Sequence, residues 1–191
     1  MNIPTIETPV HVDLTKWSAD EEMACILAHD GICTFAPLTS PEALLCFCQQ
    51  LGTIVKHRDS DERGLTWIAP REQVPSSDGY QAFTPSHLAL HTDGSSLPEP
   101  ATLVVLWCQQ PSPVGGLSLF VDGKRLYRTL ETEYPQVLEA LTAPYSAIFA
   151  GARAPLFGSI FTKLSTGQIS LRFREEAKNI VFGERAAGAE S

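Results

Sequence analysis

Leu88-Ala89-Leu90-His91-Thr92-Asp93-Gly94-Ser95-Ser96 is the stretch on which the reading of this 191-residue chain turns. Its first half alternates as a strand does, its end is a Gly-Ser-Ser turn, and Pro98 and Pro100 then lead into the apolar run Ala101–Cys108. Side chains two apart on a strand leave the same face with α-carbons about 6.6 Å apart, so His91 and Asp93 are placed to grip one ion. Strand, polar pair, turn and buried strand make a coherent metal-binding unit.

The tripeptide by itself proves nothing, because His11-Val12-Asp13 and His57-Arg58-Asp59 repeat it. Context separates the three. His11 lies in a short Pro-flanked segment near the amino terminus, and His57 sits in a polar connection ahead of Gly64. Only His91 closes an alternating apolar run.

Outward from this stretch, residues after 52 read as short β-rich runs: Thr53–Val55, Leu65–Ile68, Leu88–His91, Ala101–Cys108 and Leu117–Val121, then Tyr145–Ala150, Gln168–Phe173 and Asn179–Phe182. The front quarter is helical. Ser18 and Glu21 have capping-box spacing ahead of Met23, Ile26 and Leu27, with Gly31 as the stop; Ser40-Pro41 opens a second helix carrying Leu44, Leu45, Cys48 and Leu51 up to Gly52. Two further helical patterns hold Leu126 and Leu130, and Pro135 with Val137, Leu138 and Leu141. Many irregularly spaced strands with few helices predict a mainly β chain with flanking helices (α+β), a sandwich or jelly roll rather than an alternating βαβ sheet. Glu72–Gly79 reads as a surface loop, and residues 1–191 as a single domain.

Composition narrows the partners. Lys and Arg number 14 against 22 Asp and Glu, a net charge of −8, which argues against a phosphate-tracking surface and hence against nucleic acid. The longest apolar run falls far short of the roughly 20 residues needed to span a bilayer, and the amino terminus lacks a signal-peptide pattern, so no membrane partner and a cytoplasmic location are expected. The five cysteines follow neither zinc nor secreted-framework spacing and read as free buried thiols.

The order Phe83-Thr84, Leu88 to Gly94, Pro98-Glu99-Pro100, Ala101–Cys108 and Gly115-Gly116-Leu117-Ser118-Leu119 resembles the taurine dioxygenase and clavaminate synthase-like iron(II)/2-oxoglutarate oxygenases. The likeness is most specific from residue 83 to 123. It implies a double-stranded β-helix, the jelly roll of that family, whose iron is held by a His-x-Asp pair and one distant His, the facial triad of non-haem iron enzymes. It implies His91 and Asp93 as iron(II) ligands and Ser118 as the hydroxyl contacting 2-oxoglutarate. His57, Thr84, Ser86 and Leu88 are implied on the substrate side, and from the Leu171-Arg172-Phe173-Arg174 run one arginine, Arg174, toward an anionic group of a small-molecule substrate. With Asp93 present, hydroxylation or desaturation is implied rather than halogenation.

The departure is as informative. Histidines occur at 11, 29, 57, 87 and 91 only, so none follows Asp93 to serve as the distal ligand, and the family's carboxyl-terminal arginine is not recognisable. His87 shares a strand face with His91, but four extended residues put their α-carbons about 13 Å apart, too far to share an ion. The expectation is therefore a jelly roll incomplete at its carboxyl end, its exposed edges favouring a homo-oligomer or a separately encoded completing subunit. The competing expectations are a non-catalytic binding or assembly subunit, or an inactive remnant, of the same architecture, and, ranked last, a cupin-like metal protein.

Overall fold

The computed structural model of the chain describes residues 9–15, 21–72, 80–150, 154–175 and 180–182. They divide into two compact units, Met1–Trp67 with Leu103–Asp122, and Ile68–Thr102 with Gly123–Ser191.

In the first unit, strand β1 (Val10–Asp13) pairs in parallel with β2 (Cys33–Ala36), with helix α1 (Glu21–Asp30) between them in sequence. Gly31 ends α1 at φ +75°, and its N–H returns to the Leu27 carbonyl at 3.0 Å, a left-handed cap that glycine adopts without penalty. Helix α2 (Pro41–Leu51) starts where expected: Ser40 accepts the Ala43 N–H at 3.1 Å and Pro41 supplies a first position that needs no donor. Val12, Met23 and Phe47 are buried together, and Phe35 packs on Phe47 with ring centroids 4.9 Å apart. The Ser18 end of the capping box lies outside the described residues, as does most of the Glu72–Gly79 loop.

The second unit is built on helices α3 (Gly123–Glu133) and α4 (Pro135–Thr142), followed by β3 (Ala147–Phe149), β4 (Leu156–Gly158), β5 (Phe161–Lys163), β6 (Ile169–Leu171) and β7 (Ile180–Phe182). Strand β3 is central between β4 and β7, both antiparallel to it, while β5 and β6 form a hairpin turned at Gly167 with φ +83°. All three residues of β3, Ala147, Ile148 and Phe149, are buried, and Ala147 and Phe149 share a core with Leu130 of α3 and Leu138 of α4. Leu130, Leu138, Phe149, Ile160 and Phe161 form the core, with Tyr127 edge-on to Phe161 at 5.5 Å.

The four α-helices fall where the sequence pattern puts them, and the expected runs Tyr145–Ala150, Gln168–Phe173 and Asn179–Phe182 contain β3, β6 and β7, whereas β1, β2, β4 and β5 are not among the expected strands. The middle of the chain does not follow the pattern. The described residues form three small separate sheets, and no jelly roll is assembled among them. Thr53–Val55, Leu65–Ile68, Ala101–Cys108 and Leu117–Val121 are not ladder strands, and the only pairing of Leu88–His91 is a bridge at His91. The expected burial of Ala101–Cys108 fails for the same reason. A strand is buried by its neighbours, and without them Leu103, Val104 and Leu106 are exposed, as are Leu119 and Leu117, the last at 90%. The cysteines are free, yet Cys25, Cys46 and Cys108 are exposed and only Cys33 and Cys48 are part-buried, correcting the expectation of buried thiols. No described helix is long and apolar enough to cross a membrane.

Candidate functional site

Residues 90–92 are held by the segment that leaves β6. Thr92 N–H donates to the Phe173 carbonyl at 2.8 Å, Glu175 N–H donates to the Leu90 carbonyl at 2.8 Å, and His91 faces Arg174 in an antiparallel bridge. Thr92 adds a side-chain link, its hydroxyl accepting the Phe173 N–H at 3.0 Å. This short ladder fixes the His91 backbone.

Asp93 is placed differently. It opens a turn, so period-two alternation does not govern it, yet its carboxylate Oδ1 lies 3.2 Å from His91 Nε2. The other ring nitrogen, Nδ1, is 2.8 Å from the Ala89 carbonyl. A carbonyl can only accept, so Nδ1 carries the proton, and in the neutral ring the Nε2 lone pair points at the carboxylate. The hydrogen bond with Asp93 pushes the His91 imidazole above its ordinary value; partial burial and the Arg174 charge oppose this, while the Ala89 carbonyl and the Asp93 charge add to it. Side-chain exposures of 30% for His91 and 58% for Asp93 leave both open to solvent on one side.

These two residues fit a divalent ion. Two ligands at about 2.1 Å in adjacent octahedral positions are about 3 Å from one another, close to the separation seen here. A ligating histidine characteristically gives its second N–H to a carbonyl or carboxylate, as His91 does to Ala89. They fit two positions of a facial triad and no more: among the described residues no group of three His, Cys, Asp or Glu side chains is placed to hold a metal.

The other two His-x-Asp motifs make local contacts of their own. His11 Nδ1 is 3.0 Å from Thr34 Oγ1 across the parallel pair, and Asp13 accepts the Thr15 N–H and hydroxyl. His57 shapes a local turn, where its Nδ1 accepts the Asp59 N–H at 3.3 Å and its own N–H donates to Ser60 Oγ at 3.0 Å. More than half of the His57 side chain stays exposed.

Of the residues placed on the substrate side, Thr84, Ser86, Leu88 and Arg174 share the second unit with the His91–Asp93 pair. Thr84 donates its hydroxyl to the Gln81 carbonyl at 2.8 Å, closing the single 3-10 turn Gln81–Phe83. Ser86 and Leu88 are exposed, and Arg174 is part-buried beside His91. Ser118 and His57 belong to the first unit, and Ser118 is exposed.

Three contributors escape a sequence reading focused on the pair itself. The Ala89 carbonyl is main chain, and Thr92 sits between the base His91 and the acid Asp93 with no charge of its own. Arg172, with its alternation in Leu171-Arg172-Phe173-Arg174 as the available signal, turns toward main-chain carbonyls rather than a substrate position.

A family model described as Taurine catabolism dioxygenase TauD, TfdA family matches residues 3–177. No curated protein and no solved structure matches the chain.

Proposed function

The chain belongs to that dioxygenase family, and from this premise we propose that it works as an iron(II)/2-oxoglutarate-dependent oxygenase, a hydroxylase or desaturase of a small molecule. The observation that carries the reading is the His91 ring, pinned at Nδ1 by the Ala89 carbonyl while Nε2 meets the Asp93 carboxylate at 3.2 Å. In this reading His91 and Asp93 hold the iron, Ser118 contacts 2-oxoglutarate, and Arg174, Thr84, Ser86, Leu88 and His57 address the substrate. The family match crosses both units, which supports reading residues 1–191 as one oxygenase domain.

Bound iron(II) with 2-oxoglutarate supplies dioxygen activation coupled to loss of carbon dioxide and formation of succinate. The residues of the chain supply the arrangement. The Ala89 carbonyl holds Nδ1 and leaves Nε2 of His91 for the ion, the ladder to Phe173 and Glu175 fixes the backbone on which the ring stands, and Asp93 contributes a negative charge that offsets part of the cation's. Arg174 brings a positive charge to the same edge, suited to an anionic group.

In this proposal a second copy of the chain or a separately encoded subunit completes the site. The same addition would supply the strands that complete a jelly roll against the exposed segments around residues 103–120. The second reading, a non-catalytic binding or assembly subunit, is favoured by one observation, the two-donor character of the site among the described residues.

Anaerobic titration of the protein with iron(II) and 2-oxoglutarate tests the choice. The oxygenase reading expects the weak visible charge-transfer band of the chelate, lost in His91→Ala. A titration without that band, with bound iron unchanged by His91→Ala, overturns it.

A further inference from the structure

We propose that Arg172 is a positioning residue of the metal pair, holding the turn that begins at Asp93 so that its carboxylate stays on the His91 ring; this rests on the functional reading given above. The guanidinium donates through one nitrogen to the carbonyls of Ser95 and Leu97, at 2.7 and 2.5 Å, and through the other to Pro98 at 3.4 Å. It also lies over the Phe149 ring, 5.6 Å from the centroid. Three carbonyls of one turn converging on a single side chain require several donors in a fixed fork, which arginine has and lysine lacks.

The turn is tight in its own right. Leu97 N–H donates to the Gly94 carbonyl at 2.8 Å, Ser95 is buried, and Gly94 takes φ +66° with Pro100 so close that an added Cβ would stand 3.0 Å from the proline side chain. Arg172 ties the turn to the core of its unit through Phe149. Burial of the guanidinium works against its charge, so a site needing only bulk would be better served by an apolar residue.

The register makes the assignment specific. Phe173 and Arg174 hold the backbone at Thr92 and His91, and Arg172, the preceding residue, holds the turn after Asp93. One segment of three residues thus sets both metal donors by separate means. Removing the Arg172 side chain is expected to free Asp93 while the His91 ladder persists.

The test compares wild type, Arg172→Ala, Arg172→Lys and the core variant Leu138→Ala, using manganese(II) binding and amide hydrogen exchange of the metal-free proteins. The expected result is 10–100-fold weaker manganese(II) binding in Arg172→Ala, the range for loss of a supporting contact, with an intermediate value in Arg172→Lys. Exchange at Leu97 accelerates while Thr92 stays protected, and Leu138→Ala loses stability without losing affinity. Unchanged affinity in Arg172→Ala, or unchanged Leu97 protection, overturns the positioning role and leaves the functional reading standing. Absence of manganese(II) binding in wild type overturns both. If Arg172→Ala does not fold, Arg172→Lys decides alone, and wild-type affinity and Leu97 protection in that variant overturn the role.

Discussion

His91 and Arg174 face each other across an antiparallel bridge, so a candidate metal ligand and a candidate anion receptor share one edge of the second unit. The bridge makes the site depend on β6 and its continuation, far along the chain from the His-x-Asp motif.

Protonation of His91 gives the first prediction. Its value in the folded protein is raised, chiefly by the Asp93 hydrogen bond, so the fold favours the protonated ring. The resulting stabilisation is fully present below the unfolded value, about 6.5, and is lost as pH rises through the higher folded value. Urea denaturation of the metal-free protein is expected to show stability declining above about pH 6.5, with a flatter profile in His91→Gln. Because metal and proton compete for Nε2, metal affinity rises across the same interval.

The helical front was legible because its signals are local. Ser40-Pro41, Gly31 and Gly52 specify helix ends through their own backbone chemistry, whatever surrounds them. The strands from Thr53 to Val121 were not, since an apolar run becomes a strand only with partners that other segments must supply. The site followed the same division. The His91–Asp93 pairing was readable from spacing, although a turn rather than alternation brings the carboxylate in. The Ala89 carbonyl and the Arg172 clamp required knowing that residues 172–175 return to residues 89–98.

Loss of the Ser40 cap is the second prediction. Ser40→Ala removes the acceptor for the Ala43 N–H at the start of α2 and is expected to cost about 1 kcal/mol in chemical denaturation, with Ser40→Asp near wild type.

Phe149 has no exposed surface and lies at the centre of the second unit's core. Phe149→Ala is expected to cost about 3–5 kcal/mol, read from urea midpoints, whereas Tyr145→Ala at an exposed position changes far less.

The double substitution Leu117→Ser with Leu119→Ser addresses the uncovered middle segment. Both side chains are exposed, so unfolding free energy is expected to stay within about 0.5 kcal/mol of wild type. Apolar surface of this kind favours association, and sedimentation is expected to show less self-association in the double variant than in wild type.

The central claim is that His91 and Asp93 bind one divalent ion together. Equilibrium dialysis of manganese(II) against wild type, His91→Ala, Asp93→Ala and His57→Ala measures it without requiring turnover. The account predicts one bound ion in wild type and His57→Ala and at least tenfold weaker binding in each of the other two. Equal affinity across all four proteins would contradict it.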